Sequence, residues 1–279
     1  MNVHEGVPLS KYTTLGTGGP AHRLGNPGSV DELVEMLAWA REDGLPVAAV
    51  GLGSNLLAAD EGYPGLVLKL GGELASAQVE DGLLAAGGGA PLAVCLHRAR
   101  AAELGGLEFM CAIPGTVGGG VKMNAGAYGG DIASVLVRAQ IADADGAAWR
   151  SPAELGLSYR RSALEPGQVV AAAEFHGMQT QRKDAQPTNK RTFGSVFKNP
   201  EHELTAGRML EACGLRGFRI GGAQISPKHA NFIENAGEAR SVDAVALIAE
   251  ARRRAREQFG VTLEPEVQLL GAIEIPPVG

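Results

Sequence analysis

The stretch VGLGSNLLAAD, residues 50–60, decides the fold that we predict for this chain. The apolar run PVAAVG at 46–51 predicts a buried strand, which delivers two glycines followed by a serine and an asparagine. Glycines at such a turn let a phosphate approach the backbone, whose N–H groups face the anion. A tight strand-to-loop turn has the same composition, so this loop alone leaves both interpretations open.

A second glycine-rich loop, IPGTVGGGVKMNAGAYGGD at 113–131, adds the hydrogen-bonding side chains of Thr116 and Asn124. Neither loop is specific by itself. Two such loops from separate segments are able to grip the two ends of one pyrophosphate, so the pair predicts a pyrophosphate-containing cofactor. The sequence GTGGPA at 16–21 is not a dinucleotide fingerprint, because no apolar strand precedes it and Pro20 stands where the helix would run.

The remaining chain alternates helical and strand patterns. Ser29 and Glu32 predict a capping box that begins a helix, and Gly44 ends that helix. Further strands are predicted over 66–70, 83–89 and 168–178, a hairpin over 135–150, and helices over 91–102, 205–213 and 241–259. Because hairpins occur beside alternating helices and strands, we predict an α+β fold rather than a purely parallel sheet.

Composition and charge restrict the class of protein. A length of 279 residues predicts two or three compact units, and the polar stretch 179–191 is the predicted linker between them. A net charge of −6 argues against a nucleic-acid surface, and no segment is long and apolar enough to span a bilayer. Cys95, Cys111 and Cys213 fit no disulfide framework and no zinc motif. We expect three buried thiols, no metal site and a cytoplasmic protein.

The stretch TFGSVFKNP at 192–200 places Ser195 between Gly194 and an apolar pair, with Lys198 and Asn199 just behind it. A serine beside a glycine usually satisfies local backbone groups, which makes a turn residue the simplest interpretation. No G-x-S-x-G sequence surrounds Ser195, so a nucleophilic triad is not supported.

Five motifs, in their order along the chain, resemble the UDP-N-acetylenolpyruvoylglucosamine reductase family: GLGSNLL, IPGTVGGGVKMNAGAYG, SYRRS, GSVFKNP and EPEV. The resemblance extends from Lys11 to Val267. It implies the NADPH-dependent reduction of UDP-N-acetylenolpyruvoylglucosamine to UDP-N-acetylmuramate through bound FAD, in peptidoglycan synthesis. It further implies a monomer whose partner is a small UDP-sugar, with no nucleic acid and no membrane.

The same resemblance implies a domain organisation. An FAD-binding module of the vanillyl-alcohol-oxidase kind is expected over residues 15–180, in two subdomains that divide near residue 62. A smaller α+β domain for the UDP-sugar is expected over 190–264. The terminal segments 1–14 and 265–279 are expected to pack on the FAD module.

Carried over motif by motif, the resemblance assigns roles to individual residues. The catalytic residues are expected to be Arg160, Ser195 and Glu266. The FAD contacts are expected to come from the two glycine-rich loops, at Gly51, Gly53, Ser54, Asn55, Leu56, Pro114, Gly115, Thr116, Gly118, Asn124 and Gly126. The UDP-sugar contacts are expected at Tyr159, Lys198, Asn199, His229 and Asn231.

The implied chemistry explains these residue types. Reducing an enol ether that is conjugated to a carboxylate requires stabilisation of the developing enolate and a proton for its carbon. Arg160 supplies a permanent planar cation that matches a carboxylate, and Glu266 is able to assist if its environment keeps it protonated. Ser195 is expected to donate the proton through proximity. The alternatives are an FAD-dependent oxidase of the same fold and a UDP-sugar-binding protein without redox activity.

The sequence departs from the longer family members in one segment. Those members carry an insertion with a tyrosine that clamps the UDP pyrophosphate, whereas residues 177–193 here are short and contain no tyrosine, as in the compact subclass. We expect cations of this segment to hold the pyrophosphate instead; the candidates are Arg182, Lys183, Lys190 and Arg191.

Overall fold

The computed structural model describes residues 1–177 and 192–277. The helices within these residues are α1 (Val30–Glu42), α2 (Leu92–Ala101), α3 (Val117–Lys122), α4 (Ala206–Ala212) and α5 (Ser241–Phe259). The strands are β1 (Val3–Pro8), β2 (Pro20–Gly25), β3 (Val47–Ala49), β4 (Leu56–Ala58), β5 (Tyr63–Leu68), β6 (Ala77–Glu80), β7 (Leu83–Gly87), β8 (Gly126–Ala127), β9 (Gly130–Asp131), β10 (Leu136–Asp143), β11 (Gly146–Arg150), β12 (Val169–His176), β13 (Thr192–Ser195), β14 (Arg219–Ile220), β15 (Ala223–Ile225), β16 (Phe232–Asn235) and β17 (Gln268–Leu270). The predicted linker at 179–191 and its four cations lie outside the described residues.

The chain divides into two compact units. Unit 1 comprises Met1–Gly6, His22–Leu52 and the described residues of Pro64–Gln186. Unit 2 comprises Val7–Ala21, Gly53–Tyr63 and the described residues of Pro187–Gly279. The first glycine-rich loop therefore contributes Gly51 to unit 1 and Ser54 and Asn55 to unit 2. The predicted domain boundaries, including the division near residue 62, stay a prediction.

Unit 1 is built on two sheets. A five-stranded antiparallel sheet has the order β11-β10-β12-β7-β6, and a four-stranded sheet has the order β1-β2-β5-β3, with β3 parallel to β5. Two apolar cores form. One unites α2 and α3 with β10 and β12, and the other packs α1 against β5 and further residues of β10 and β12. The predicted hairpin is confirmed, because Asp143 pairs with Gly146 across its turn.

Helix α1 shows how local sequence sets an element's bounds. The Ser29 hydroxyl accepts a hydrogen bond from the Glu32 N–H at 3.2 Å, as predicted for an N-cap. The predicted reciprocal bond is wrong by one residue, because the Glu32 carboxylate accepts from the Gly28 N–H at 2.7 Å. The predicted apolar stripe is confirmed as the buried face of the helix: Leu33, Met36, Leu37 and Ala40.

Unit 2 pairs a four-stranded antiparallel sheet, in the order β13-β16-β15-β14, with α4 and α5. Its core is built around the buried side chains of Phe193, Phe197, Leu247 and Ile248. Helix α5 ends where predicted, since Gly260 adopts the left-handed conformation with φ of 70°. A short parallel pair, β4 with β17, joins the segment after the first glycine-rich loop to the end of the chain.

The three cysteines differ in burial. Burial raises the pKa of the Cys95 thiol to about 12, in agreement with its prediction as a buried thiol. Cys213 is partly buried, and Cys111 is exposed, so the prediction of three buried thiols is wrong. Cys111 lies in a short 3₁₀ segment, where Phe109 and Met110 turn inward instead.

Two features that the sequence analysis rejected, a dinucleotide fingerprint at 16–21 and a membrane-spanning segment, are compared with the structure. Pro20 begins strand β2, so the glycines at 16–19 precede a strand rather than a helix, as expected for a segment that is no dinucleotide fingerprint. Within the described residues, no helix is long and apolar enough to cross a membrane.

A first prediction concerns the contact between β7 and β12. A Cβ on Gly88 would lie 1.9 Å from the Val170 carbonyl oxygen, so Gly88→Ala should lower the free energy of unfolding by about 2–3 kcal/mol. Gly71→Ala is the control, because an added Cβ there meets no atom within 4 Å. The control should be neutral or stabilising by up to about 1 kcal/mol. Urea unfolding measures both, and equal stabilities would contradict the described contact.

Candidate functional site

Unit 1 contains a cavity of about 110 Å³ at the end of β3. Four segments form its walls: the residues from Val47 to Gly51, the turn at Gly88 and Gly89, the first turn of α3, and the stretch 164–170. Three of the predicted FAD contacts line it, namely Gly51, Thr116 and Gly118. A cavity of this size takes a segment of a dinucleotide, since sites for whole ligands measure about 300–1,000 Å³.

The walls of this cavity approach each other closely because two of the residues at their contacts are glycines without a side chain. A Cβ on Gly51 would lie 2.5 Å from Thr116 Oγ1, and one on Gly118 would lie 3.0 Å from the Gly88 carbonyl oxygen. The Gly118 N–H donates to that same oxygen at 2.7 Å. Ahead of α3, the Gly115 carbonyl accepts from the Leu92 N–H at 2.9 Å and fixes the start of the loop. The glycines therefore permit close packing of one protein segment on another.

Three predicted FAD contacts and one cation are the features of this lining that suit the diphosphate part of FAD. The N–H groups of Gly88, Gly89 and Gly118 are not available to it, because they donate to main-chain carbonyls of the protein, whereas Lys122 adds a cation to the wall. Gly88, Gly89 and Lys122 were not predicted as site residues. A signal was present in the GGG sequence at 87–89, directly after a predicted strand.

Arg160 occupies a tight turn of unit 1. The turn is closed by two main-chain hydrogen bonds between Ser158 and Arg161, of 3.0 and 3.1 Å, and Arg160 has a positive φ of 55°. This position normally favours glycine or asparagine, so an arginine there carries strain of about 1 kcal/mol. The Arg160 guanidinium donates to the Gly126 carbonyl oxygen at 2.7 Å and lies 4.9 Å from the centre of the Tyr159 ring. These contacts tie Arg160 to the second glycine-rich loop.

Asn124 organises that loop. Its side chain is buried, accepts from the Ala133 N–H at 2.8 Å and donates to the Ser158 carbonyl at 3.1 Å. A further bond of 3.2 Å reaches the Asp131 carboxylate. Asn124 thus connects the loop to the turn that carries Arg160, and its predicted contact with FAD stays a prediction.

Ser195 ends strand β13 of unit 2, next to an irregularity in the sheet. Thr192 pairs with Glu234 and Ser195 pairs with Phe232, so β13 has one residue more than its partner over this interval. Gly194 has a φ of 84°, as a glycine in a β-bulge commonly does. The bulge changes the direction of the strand immediately before the predicted proton donor.

Glu266 lies beside Ser195 through main-chain pairing. The Glu266 N–H donates to the Val196 carbonyl at 2.8 Å, and the Lys198 N–H donates to the Glu264 carbonyl at 2.9 Å. The Asn55 side chain donates to the Glu266 carbonyl at 3.4 Å. Unit 2 therefore brings two predicted catalytic residues and one predicted FAD contact together.

The unit 2 part of the first glycine-rich loop is held by contacts with Tyr12 and Thr14. A Cβ on Gly53 would lie 1.9 Å from the Tyr12 carbonyl oxygen, and the Thr14 hydroxyl donates to the carbonyls of Gly53 and Thr192. A Cβ on Gly194 would lie 3.3 Å from the Ser54 carbonyl oxygen. Leu56 follows as the first residue of β4.

Four predicted substrate contacts lie in unit 2, and each has a partner within the protein. Lys198 forms an ion pair with Glu264 at 2.6 Å, and the Asn199 side chain accepts from the Ala206 N–H at 3.1 Å, at the start of α4. The Asn231 side-chain amide bonds both main-chain groups of Phe197. His229 Nδ1 accepts from the Asn231 N–H at 3.3 Å, and burial lowers the pKa of His229. The fifth, Tyr159, lies in unit 1 and is exposed.

The site residues are thus distributed over both units. Arg160 and the predicted FAD contacts at Gly51 and 114–126 belong to unit 1, whereas Ser195, Glu266 and the contacts at 53–56 belong to unit 2. All assignments of these residues to FAD or to the UDP-sugar stay predictions.

Two family models match the chain. The model described as "FAD binding domain" matches residues 22–151, and the model described as "UDP-N-acetylenolpyruvoylglucosamine reductase, C-terminal domain" matches residues 186–270. The FAD-binding module implied by the family resemblance is therefore confirmed.

Whole proteins and a solved structure are similar over nearly the full chain. UDP-N-acetylenolpyruvoylglucosamine reductase 2 of Symbiobacterium thermophilum is 42% identical over 285 residues, which cover 96% of this chain and 92% of that protein. The corresponding reductase of Synechococcus sp. WH7803 is 44% identical over 290 residues, covering 96% and 93%. The crystal structure of UDP-N-acetylenolpyruvylglucosamine reductase from Thermus caldophilus matches with a TM-score of 0.81 at 36% identity, covering 97% of this chain and 99% of that one.

These matches confirm the predicted α+β fold with an FAD module and a smaller second domain, and they confirm an FAD-containing oxidoreductase. They also favour a reductase over the two alternatives. The chain belongs to the UDP-N-acetylenolpyruvoylglucosamine reductase family.

Proposed function

We propose that this chain reduces UDP-N-acetylenolpyruvoylglucosamine to UDP-N-acetylmuramate with NADPH, in the cytoplasm and as a monomer, as a step of peptidoglycan synthesis. The observation that carries the proposal is the hydrogen bond of 2.8 Å from the Glu266 N–H to the Val196 carbonyl. It sets the predicted proton donor and the predicted assisting carboxyl on adjacent segments of one unit. FAD, when bound, supplies the hydride that the vinyl group of the substrate receives.

Arg160 stabilises the charge that develops on the substrate. Its planar, positively charged guanidinium matches the carboxylate into which the enolate charge spreads. The hydrogen bond to Gly126 and the ring of Tyr159 limit the orientations of the guanidinium before substrate arrives. Such preorganisation removes part of the cost of orienting the cation during the reaction.

Ser195 donates the proton to the substrate carbon. Its hydroxyl is a weak acid in water, but a developing carbanion is a strong base, and positioning supplies much of the remaining driving force. The bulge at Gly194 and the pairing with Phe232 fix the backbone on both sides of Ser195. Glu266 assists by a hydrogen bond to the charge on the substrate when it carries its proton.

We predict that the purified protein releases FAD, not FMN, on denaturation, and that Gly119→Ala weakens FAD binding about tenfold. Gly119 lines the cavity, yet an added Cβ would lie 3.7 Å from Thr116 Oγ1, an ordinary contact that the protein tolerates. Chromatography of the released flavin and flavin fluorescence measure the two results.

The matched control is Gly120→Ala in the same helix. An added Cβ at Gly120 would meet Ile132 and Leu92 at 3.5 Å, in the apolar core. FAD affinity should stay near that of the wild type. Release of FMN, or equal FAD affinity of the two variants, would contradict the assignment of the cavity.

We predict that Ser195→Ala separates the two half-reactions. Reduction of bound FAD by NADPH requires no proton at the substrate carbon and should keep its rate. Reoxidation by the enolpyruvyl substrate should slow by about a hundred- to ten-thousand-fold, which is the usual value of general-acid catalysis. Stopped-flow absorbance of the flavin follows both steps.

Two comparisons accompany this variant. Ser195→Cys should retain part of the activity, because a thiol still delivers a proton. Substrate binding should change by only about 1 kcal/mol, the net contribution of one neutral hydrogen bond. Reoxidation of Ser195→Ala at the wild-type rate would make Ser195 a turn residue.

We predict that Arg160→Asn abolishes reoxidation by substrate while the free energy of unfolding stays within about 1 kcal/mol of the wild type. Asparagine tolerates the positive φ at this position, so the relief of strain offsets the lost contacts of the guanidinium. Arg161→Asn is the control, since the exposed neighbour has no proposed role. Urea unfolding and single-turnover kinetics test the pair, and unimpaired turnover of Arg160→Asn would exclude Arg160 from the reaction.

A further inference from the structure

Lys69 is a half-buried cation that contacts Gly51, in the unit 1 part of the first glycine-rich loop. Its ammonium donates a hydrogen bond to the carbonyl oxygen of Gly51, and burial lowers its pKa. None of the carboxylates in the described part of the chain forms an ion pair with it. A partly desolvated cation without a counter-ion costs free energy that a nearby anion would recover.

Both partners of this hydrogen bond are held by the sheet. The Lys69 N–H donates to the Gly25 carbonyl at 2.9 Å, directly after strand β5. The Val50 N–H donates to the Leu68 carbonyl at 2.8 Å and fixes the chain one residue before Gly51. The position of the ammonium under the loop is therefore set by strand pairing rather than by a mobile surface segment.

The hydrogen bond determines the direction of a peptide group. In a planar trans peptide the N–H points opposite to the C=O, so a Gly51 carbonyl that faces Lys69 turns the Leu52 N–H away from it. Gly51 lines the cavity together with Val50 and Leu70, the residues next to Gly51 and Lys69 in the chain, and Lys122 adds a cation to its wall. An oriented N–H with a cation behind it is an arrangement that favours an anion.

We propose that Lys69 is a positioning residue for the FAD diphosphate: it orients the Gly51–Leu52 peptide toward the anion and supplies positive charge behind that peptide. The inference rests on the assignment of FAD to this protein. It concerns a residue outside the motifs that carry the family resemblance, and it assigns Lys69 an electrostatic role in holding the cofactor rather than a role in the reaction.

The test measures release of FAD from the purified holoenzyme after dilution, by flavin fluorescence, at several salt concentrations. Lys69→Met removes both the charge and the hydrogen bond, Lys69→Gln keeps an N–H donor without the charge, and Lys69→Arg keeps the charge. Lys11→Met, at an exposed lysine of unit 2, is the control for an ordinary loss of charge.

We expect Lys69→Met and Lys69→Gln to release FAD about ten- to a hundred-fold faster than the wild type, the usual range for losing a charged hydrogen-bonding group. Their release rates should also depend less on salt, because screening acts on the missing charge. Lys69→Arg and Lys11→Met should resemble the wild type. If Lys69→Met fails to retain FAD on purification, the comparison is made between Lys69→Gln, which should release FAD faster than the wild type, and Lys69→Arg, which should release it at the wild-type rate.

Two results would overturn the proposal. Wild-type release by Lys69→Gln would show that Lys69 only ties the loop together through a hydrogen bond. Faster release with an unchanged salt dependence would show that the charge does not act on the cofactor. A wild-type protein that purifies with no FAD would instead contradict the flavoenzyme assignment, so the two failures are distinguishable.

Discussion

Both parts of the site depend on glycines whose main chain approaches neighbouring segments more closely than any residue with a Cβ could. In unit 1, Gly51 reaches Thr116 and Gly88 reaches the Val170 carbonyl, and these approaches bring the walls of the cavity together. In unit 2, Gly53 reaches the Tyr12 carbonyl at a distance that a Cβ would reduce to 1.9 Å. Because the segments are packed this closely, any added atom would displace the neighbouring segment. The glycine clusters of the sequence are therefore structural requirements of the site, independent of which ligand it holds.

The extent to which the sequence predicts this fold depends on how local the determining contacts are. Helix α5 and the hairpin of β10 and β11 are determined by periodicity and by turn residues such as Gly146 and Gly260, and their bounds follow the prediction closely. Long-range pairings have no such signature. Nothing in the sequence of residues 53–63 indicates that β4 pairs with β17, near the other end of the chain. The division of the first glycine-rich loop between two units follows from that pairing.

The site shows the same limit. The ordered motifs identify Arg160, Ser195 and Glu266 as candidates, because each motif has a characteristic local sequence. The structure adds what motifs do not contain, such as the cation of Lys69 under Gly51 and the hydrogen bonds of Asn124 that connect the loop to the Arg160 turn. A lysine or an asparagine acts there through its spatial neighbours, and its position in the sequence gives no indication of them. The exposure of Cys111 was missed for the same reason.

A positive φ occurs at two places where chemistry is proposed, and it causes strain at only one of them. Arg160 has a positive φ that a non-glycine residue adopts at a cost, and the cost is offset by main-chain bonds across its turn and by the bond to Gly126. At Ser195 the adjacent Gly194 takes the positive φ, so the serine itself follows the bulge without that cost. A permanent cation benefits from being fixed in advance, because reorganisation during charge development would raise the barrier. A proton donor needs only a backbone that holds its hydroxyl within reach of the carbon, and a bulge with a glycine meets that requirement with less strain.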